Sequence, residues 1–473
     1  MQEPPPDMRH LVKMPHNMPS PDECENQRQY HQLMIPGMWN VGIHTDCVHN
    51  ELKAVVGRVL SMVPKPVPMA INALRSLTIS MAKSLPCSSP IPLEEVALCF
   101  PANKRKLYKQ VVQSLSESGL TMRDVRVTAF VKQEKLQDTS KDPRMIQYRS
   151  PRFNVMLARF TRPLESTLYG LRDVDGQRMV AKGMNMRKRA LTLRRMWLTF
   201  LDPVALSLDL SRWDMHCNVS LIKIMHLFYL TMIPDKEFKG LLSHQLLNIV
   251  LTKGGLRYKV QGNVMSGDMT TALGNCVLII IIQLTLRKLT GIHFKILDDG
   301  DDHVVLVERH EAQLLMSKME LWFKSLGLSL RVDGQTDEFQ NIVFCQHKPI
   351  YHHGVWEMMP DPRKVLATAF TVTGKRDVQV YLREVWGMRA LLHQGQPILG
   401  PIFRNLTLKY PPIAHNRGTQ YVGLDRLTKA DGRSTIEIHD VELEARQQVY
   451  VMWGFEPDDQ VRLESMQIET FPT

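Results

Sequence analysis

The apolar and polar positions along the chain divide it into elements of recognisable type. Residues 204–210 form an apolar run that predicts a strand, and the spacing in residues 221–233 predicts a helix. Residues 251–261 predict a hairpin around a Gly-Gly pair. Residues 268–289 predict a long helix, and residues 294–307 predict a second hairpin with polar residues at its tip. The middle of the chain is therefore expected to combine strands with helices.

The regions on either side have less regular patterns. Residues 1–40 are rich in Pro and Met, which predicts an extended arm. Residues 51–120 are mainly helical between interrupting prolines, and helical patterns return beyond Tyr351. The strongest apolar run, residues 277–282, is too short to cross a membrane. We therefore expect a buried core helix there and no transmembrane segment in this chain.

Composition favours a packed protein with a polyanionic partner. The chain has 473 residues, a length for which two or three subdomains are expected. Of these residues 44% are hydrophobic, which is enough for a packed globular protein. Lys and Arg outnumber Asp and Glu by 59 to 48, which gives a net charge of +11. A basic protein without a nucleic-acid partner explains that charge equally well. The seven cysteines are scattered and form no C-x-x-C, which indicates reduced thiols and disfavours a disulfide framework.

Two aspartates lie at the end of the predicted strand and just beyond it, in the segment LSLDLSRWDMHCN. Asp209 ends the apolar run, and Asp214 comes five residues later, past a turn. A carboxylate at the end of a buried strand is costly unless it is paired or bound to a metal. Because this spacing often arises by chance, it is weak evidence when taken alone.

Four further aspartates surround a glycine at the tip of the second hairpin, in the segment KILDDGDDHVVLVER. They are Asp298, Asp299, Asp301 and Asp302. Like charges so close together repel each other, and a cation would compensate them. Carboxylate oxygens suit Mg²⁺ or Mn²⁺. A hairpin turn without chemistry remains the alternative, because Asp-Gly is common in turns.

The two acidic segments are stronger evidence for a catalytic role together, in this order, than either is alone. They lie about 90 residues apart, and carboxylates from neighbouring strands can hold two divalent ions roughly 4 Å apart for phosphoryl transfer. Between them, in QGNVMSGDMTTALGNCVL, Ser266 and Gly267 form a flexible turn before the long helix. Thr271 and Asn275 share one helical face and could read a sugar hydroxyl. A helix whose polar face is merely solvated is the alternative.

Taken together, these segments resemble the RNA-dependent RNA polymerases of tombusvirus-like positive-strand RNA viruses. The resemblance implies that Asp209 and Asp301 are catalytic and hold two Mg²⁺ ions, or Mn²⁺, with Asp302 in support. It implies that Asp214 and Asn275 recognise the ribose 2′-hydroxyl. It also assigns Ser266 and Thr271 to nucleotide binding and Gly267 to RNA binding.

The resemblance extends from about residue 40 to residue 466. Residues 130–160 are similar to the basic motif F, so a set of cations is expected to meet the nucleotide triphosphate. This set is Lys132, Lys135, Lys141 and Arg144. Residues 344–349, FCQHKP, resemble motif E, which implies primer contacts for Cys345 and Gln346. A solvated basic loop is the alternative for the first of these regions.

The chain departs from the family pattern at several positions. Asp142 interrupts the usual Lys-Pro-Arg of motif F, and Asp298 and Asp299 replace the two asparagines that often precede Gly-Asp-Asp. The motif D segment, LGLSLRVDGQTDEF at residues 326–339, has Arg331 and no lysine after Lys324, so its general acid is unassigned. The spacing of Cys345 with His347, His352 and His353 matches no known zinc motif. These histidines are therefore expected to be ordinary loop residues.

The implied fold is an α/β (α+β) right hand with fingers, an antiparallel-sheet palm and a helical thumb. The arm is expected at 1–40, the fingers at 41–203 with an insertion at 219–263, the palm at 204–218 and 264–349, and the thumb at 350–473.

The implied reaction joins ribonucleoside triphosphates to an RNA 3′-hydroxyl on a template RNA. Viral and host replication proteins are expected partners, in the host cytoplasm at membrane-associated replication complexes. A reverse transcriptase shares the palm and the metals but must exclude the 2′-hydroxyl. An RNA-binding protein without activity explains the charge alone, and a structural viral protein explains none of the motifs.

Overall fold

The computed structural model of the protein describes residues 11–20, 30–32, 39–374, 377–412, 435–437 and 439–468. Most of the predicted arm at residues 1–40 therefore lies outside the described residues. In the described part, the helices are α1 (Val48–Arg58), α2 (Pro68–Ser84), α3 (Leu93–Val96), α4 (Ala102–Ser118), α5 (Met122–Val125), α6 (Pro151–Tyr169), α7 (Met186–Trp197), α8 (Trp213–His216), α9 (Val219–Met232), α10 (Lys236–Ser243), α11 (Thr271–Thr290), α12 (Arg309–Ser325), α13 (Pro362–Ala369), α14 (Val378–Leu392), α15 (Leu399–Lys409), α16 (Leu443–Trp453) and α17 (Pro457–Ser465).

The strands of the described residues form four sheets. They are β1 (Tyr30–Gln32), β2 (Val127–Val131), β3 (Met145–Tyr148), β4 (Pro203–Leu210), β5 (Leu247–Thr252), β6 (Arg257–Gln261), β7 (Phe294–Asp298), β8 (His303–Glu308), β9 (Leu330–Thr336), β10 (His347–His352), β11 (Val355–Pro360) and β12 (Thr371–Thr373). Antiparallel pairing predominates, which confirms the predicted mixture of helices and antiparallel sheet.

The central sheet has the strand order β7-β8-β4-β9, and all of its pairs are antiparallel. Its two faces pack against different apolar clusters. On β7, for example, Ile296 belongs to the largest core and Leu297 to a second cluster on the opposite face. Burial on both faces explains why these strands are continuous apolar runs instead of alternating patterns.

Helix α11 packs beside this sheet in the largest core. It is the single described helix with the length and apolar composition of a membrane span, and 72% of that stretch is buried. Residues 277–282 are fully buried, so the predicted core helix is confirmed. A helix that is apolar on all sides suits such a position.

The second sheet has the order β3-β2-β5-β6 and packs against α1. The predicted hairpin at 251–261 is present as β5 and β6, but its first strand begins four residues earlier than predicted. Strand β5 exposes Leu247 and Ile249 and buries Asn248. Val250 is buried on the same face as Asn248, so both faces of the strand carry apolar side chains and the strand lacks a clear amphipathic pattern.

The C-terminal part is mainly helical, as predicted, but it also contains the β10–β11 hairpin, which the pattern did not predict. The described parts of the first forty residues contact two distant regions. Lys13 pairs by its backbone with Arg257 at the edge of the second sheet, and β1 pairs antiparallel with β12.

Candidate active site

The central sheet and the second sheet border one cavity of about 710 Å³. The carboxylates of Asp209, Asp214 and Asp301 line it together with several cationic side chains. The remaining lining residues are Arg58, Val59, Lys132, Ser140, Lys141, Asp142, Arg144, Met145, Ile146, Gln147, Leu210, Ser211, Arg212, Trp213, Met215, Ser266 and Arg331. The predicted acidic and basic groups therefore share one site.

Strand β4 carries Asp209 to the edge of this cavity. In the neighbouring strand, Arg331 lies opposite Asp209 and binds its Oδ2 atom through Nη2 at 2.8 Å. Arg331 also binds Asp333 through Nε at 2.7 Å. Burial raises the pKa of Asp209 above its usual value, although the charge of Arg331 opposes this shift.

The tip of the β7–β8 hairpin presents Asp301 to the cavity. Asp302 is not among the lining residues, but it interacts electrostatically with both Asp301 and Asp209. Burial, together with repulsion from these two carboxylates, raises the pKa of Asp302 to about 6. Three carboxylates from two adjacent strands therefore meet at the end of the sheet.

The other two aspartates of this tip point away from the cavity. Asp298 is fully buried, accepts a hydrogen bond from the backbone N–H of Gly300 at 3.1 Å, and has its pKa raised well above the usual value by burial. Asp299 is ion-paired with Lys182 and Arg189. The extra acids therefore add little net negative charge to the cavity.

The one-turn helix α8 holds Asp214 in the cavity. Burial, followed by repulsion from Asp301, raises the pKa of Asp214 to about 6, while Arg144 and Lys132 oppose the shift. Arg144 and Lys132 therefore favour the ionised form of Asp214.

The turn before α11 is held against strand β3. The N–H of Gln147 donates to the Ser266 hydroxyl at 3.1 Å, and the N–H of Gly267 donates to the Gln147 carbonyl at 2.7 Å. Ser266 lines the cavity. Thr271 does not, because its hydroxyl donates to the Met265 carbonyl at 2.6 Å and closes the turn. Thr271 is therefore placed to shape the turn.

Asn275 lies directly beneath the acidic tip. A methyl group added to Gly300 would stand 3.4 Å from the Asn275 Cβ atom. The side chain is buried, and its Oδ1 atom has no hydrogen-bond partner among the described residues. A buried amide oxygen without a partner is costly. The Asn275 Oδ1 atom is therefore suited to accept a hydrogen bond from a ligand hydroxyl.

The basic side of the cavity comes from the loop between β2 and β3. Glu134 holds Lys132 at 2.7 Å and Arg144 at 3.2 Å, so the two cations are fixed side by side. Lys141 also lines the cavity, and the neighbouring Asp142 is engaged with Arg212 at 3.3 Å. Fixed cations in the same cavity as the carboxylates would suit a polyphosphate.

Two arginines of the cavity were not predicted. Arg58 comes from α1, and burial together with repulsion from Arg144 and Arg212 lowers its pKa. Nothing in the sequence near Arg58 indicates a site, because α1 lies about 150 residues before Asp209. Arg212 carried a usable signal, since it lies between the two aspartates of the first acidic segment.

Three predicted site residues lie elsewhere. Lys135 points to the C-terminal helices, where its Nζ atom donates to the Thr368 carbonyl at 2.7 Å and to the Tyr381 hydroxyl at 3.1 Å. The predicted contact of Lys135 with the triphosphate is therefore not supported by its position. Cys345 and Gln346 form a tight turn with positive φ angles of 51° and 62°. The Cys345 thiol faces Asp299, and the Gln346 amide oxygen accepts from Lys364.

The donor set fits hard divalent cations, because Asp209, Asp301 and Asp302 offer only oxygen ligands. In the described residues no three His, Cys, Asp or Glu side chains are already arranged as a metal-binding group. The contact of Arg331 with Asp209 is consistent with that finding, since the guanidinium stands at one of the carboxylate oxygens. Metal binding through this oxygen atom would displace the guanidinium.

The chain belongs to the viral RNA-dependent RNA polymerase family, whose sequence profile matches residues 17–470. It is 31% identical to the RNA-directed RNA polymerase of Tobacco necrosis virus (strain A), over 96% of this chain and 65% of that protein. The polymerases of Turnip crinkle virus and Tomato bushy stunt virus (strain Cherry) are each 28% identical. These two comparisons cover 91% and 89% of this chain and 58% and 53% of the relatives. The chain thus spans about half to two thirds of the length of these relatives.

Proposed function

We propose that this chain is an RNA-directed RNA polymerase that transfers nucleotides from ribonucleoside triphosphates to an RNA 3′-hydroxyl. The observation that supports the proposal most strongly is the single cavity that Asp209 and Asp301 share with Lys132 and Arg144. Carboxylates on two adjacent strands and fixed cations opposite them match the needs of metal-assisted phosphoryl transfer.

Each group has a proposed role in this reaction. Asp209, Asp301 and Asp302 would hold two Mg²⁺ or Mn²⁺ ions, which activate the attacking hydroxyl and neutralise the leaving phosphates when bound. Lys132, Arg144 and Lys141 would orient the triphosphate, because guanidinium and ammonium groups neutralise phosphate. Positioning and fixed charge then supply most of the catalysis.

The sugar is proposed to lie between Asp214 and Asn275. Asp214 lines the cavity, and the Asn275 Oδ1 atom has no hydrogen-bond partner among the described residues. A site that satisfies its polar groups with a substrate hydroxyl rejects a substrate without one. This arrangement favours ribonucleotides and argues against the reverse-transcriptase alternative.

We propose that the chain is divided into palm, fingers and thumb subdomains, as in a right-hand polymerase. The central sheet with α11 and α12 would form the palm, at 204–218 and 264–349. The fingers would be residues 41–203 and 219–263, and the mainly helical part from 350 to 473 would be the thumb. Lys13 pairs with the proposed fingers at Arg257 and β1 pairs with the proposed thumb at β12, which supports an arm that contacts both.

The wider setting is also proposed. Template and product RNA would be the macromolecular ligands, and viral and host replication proteins would be partners. We propose the host cytoplasm, at membrane-associated replication complexes, as the location.

The test is primed synthesis by the purified chain on an RNA template with Mg²⁺ or Mn²⁺. Parallel reactions would contain ribonucleotides or deoxyribonucleotides, and a DNA template of the same sequence would be the control. Extension with ribonucleotides on RNA alone supports the proposal. Equal use of deoxyribonucleotides would favour reverse transcription, and RNA binding without synthesis would favour a binding protein.

A further inference from the structure

The acidic tip between β7 and β8 rests on a segment that no motif includes. Residues 179–181 run alongside it: the N–H of Asp298 donates to the Met179 carbonyl at 2.8 Å, and the N–H of Ala181 donates to the Asp298 carbonyl at 2.7 Å. This segment therefore extends the central sheet by a short parallel bridge at Val180. It leads directly into α7.

Two cations from this region hold the tip through one aspartate. The Lys182 Nζ atom contacts the Asp299 Oδ1 atom at 2.8 Å and also donates to the Asp299 carbonyl at 2.8 Å. Arg189 of α7 contacts the Asp299 Oδ2 atom at 2.8 Å. Arg189 and Asp299 each expose 13% of their side chains, so the pair is shielded from water and from salt.

A third segment reaches the same carboxylate. The Cys345 thiol donates to the Asp299 Oδ2 atom at 3.3 Å, and Arg189 donates to the Cys345 sulfur at 3.3 Å. The strained turn at Cys345 and Gln346 aims the thiol inward, since both residues have positive φ angles. Arg189 of α7 and Cys345 of the 344–347 turn therefore both contact the Asp299 Oδ2 atom of the acidic tip.

The charges in this cluster are unequal. One buried carboxylate faces two cations, which leaves a net positive charge behind the turn that carries Asp301 and Asp302. Burial acts to raise the pKa of Asp299, but Arg189 and Lys182 outweigh it and hold that pKa below its usual range. The excess positive charge would offset repulsion among the carboxylates on the cavity side.

We propose that Lys182 and Arg189 are positioning residues for the acidic tip, acting through Asp299 to hold Asp301 and Asp302 where they bind metal. Cys345 links this support to the 344–347 turn. The proposal rests on the proposed function, because it assigns the tip to metal binding. Neither cation needs to touch RNA or nucleotide for this role.

The test measures Mn²⁺ binding by calorimetry in the RNA-free protein, together with kcat and KM for GTP in primed synthesis. The variants are Asp299→Asn, Lys182→Met, the double variant, and Lys182→Arg, which keeps the charge. Lys188→Met is the matched control, because Lys188 is an exposed residue of the same helix as Arg189. Thermal unfolding reports whether each variant folds.

We expect Asp299→Asn to weaken Mn²⁺ binding and to lower kcat by about 10- to 100-fold, the usual effect of losing a group that supports metal ligands. KM for GTP should stay unchanged. The double variant should lose less than the product of the single effects, because Asp299→Asn leaves two cations facing each other and Lys182→Met removes one. The control should behave as the unaltered protein does, and Lys182→Arg should retain more Mn²⁺ binding and kcat than Lys182→Met because it keeps the charge.

Normal Mn²⁺ binding and kcat in a folded Asp299→Asn protein would overturn the proposal. So would fully multiplicative effects in the double variant, or a fall in thermal stability without a change in Mn²⁺ binding. The calorimetric arm does not depend on synthesis. Suppose that the unaltered chain makes no RNA but binds Mn²⁺, and that Asp299→Asn weakens this binding. That result would contradict the proposed function and leave the positioning role supported.

Discussion

At the scale of single residues, the cavity is organised by buried charge. Asp214 and Asp302 both have pKa values of about 6, because burial and neighbouring carboxylates disfavour their ionised forms. Both groups are therefore mainly ionised at neutral pH and become protonated as the pH falls through about 6. Cations that enter the cavity would lower both pKa values and extend metal or sugar binding to lower pH.

Asn275→Ala is expected to reduce the preference for ribonucleotides. The unaltered protein should prefer GTP to dGTP strongly, because dGTP leaves the Asn275 amide and the Asp214 carboxylate unsatisfied. Each unsatisfied buried group costs about 1–3 kcal/mol, which corresponds to roughly one to two decades in rate. Competition between GTP and dGTP on one RNA template measures the ratio. An unchanged ratio in Asn275→Ala would remove the sugar role from this residue.

Arg331→Gln is expected to tighten Mn²⁺ binding. The guanidinium occupies Asp209 Oδ2 and must leave before a metal can bind there. Since exposed ion pairs contribute about 0.2–1 kcal/mol, the gain should be about 1.4- to fivefold. The control is Arg309→Gln, because Arg309 bridges Asp202 and Asp337 in the same way on another surface. Weaker binding in Arg331→Gln would show that Arg331 supports the site.

The sequence predicts much of the cavity and misses its distant contributors. Asp209, Asp301 and Ser266 line one cavity, and each lies at the end of a strand or before a helix whose apolar pattern is clear. Lys135 could not be placed, since a run of basic residues does not show which side of a loop each lysine faces. Arg58 was missed because only the folded chain brings α1 to this site.

At the scale of elements, close backbone contacts fix the turn before α11. A Cβ atom on Gly267 would stand 2.6 Å from the Tyr148 Cβ atom and 2.9 Å from the Gln147 carbonyl oxygen. Neither group can move without displacing β3, so the turn and the strand hold each other in place.

Gly267→Ala is therefore expected to destabilise the protein by about 1–3 kcal/mol, the usual cost of overpacking, and to lower synthesis by displacing Ser266. The control is Gly240→Ala in α10, where an added Cβ meets nothing within 4 Å. That change should stabilise the protein by about 0.4–1 kcal/mol. Urea unfolding of both variants gives the comparison. Equal stability of the two variants would contradict the packing seen at the turn.

Element prediction succeeds where burial and periodicity agree. Strand β4 and hairpin β7–β8 are apolar runs buried on both faces, so their bounds were predicted closely. Strand β5 was predicted to begin too late because it exposes Leu247 and Ile249 and buries Asn248, which Arg149 contacts. Tertiary hydrogen bonding overrides the local pattern at that point.

At the scale of the whole molecule, the surplus of 11 positive charges predicts a salt-sensitive complex with RNA. Each phosphate contact to single-stranded RNA should contribute about −0.7 to the slope of log K against log salt. The measurement is RNA affinity at several salt concentrations for the unaltered chain and for a variant with Lys132→Met and Arg144→Met. A smaller slope is expected in the variant. A flat plot for the unaltered chain would contradict an electrostatic RNA track.

The most direct test of the account is primed synthesis by Asp301→Asn, with its Mn²⁺ binding measured on the same preparation. This variant removes one charge from a crowded acidic site, so its thermal stability should be equal or higher, while synthesis should fall below detection because the shared metal ligand is lost. Lys188→Met is the matched control and should remain active. Near-normal synthesis by a folded Asp301→Asn protein would contradict the assignment of this cavity as a two-metal polymerase site.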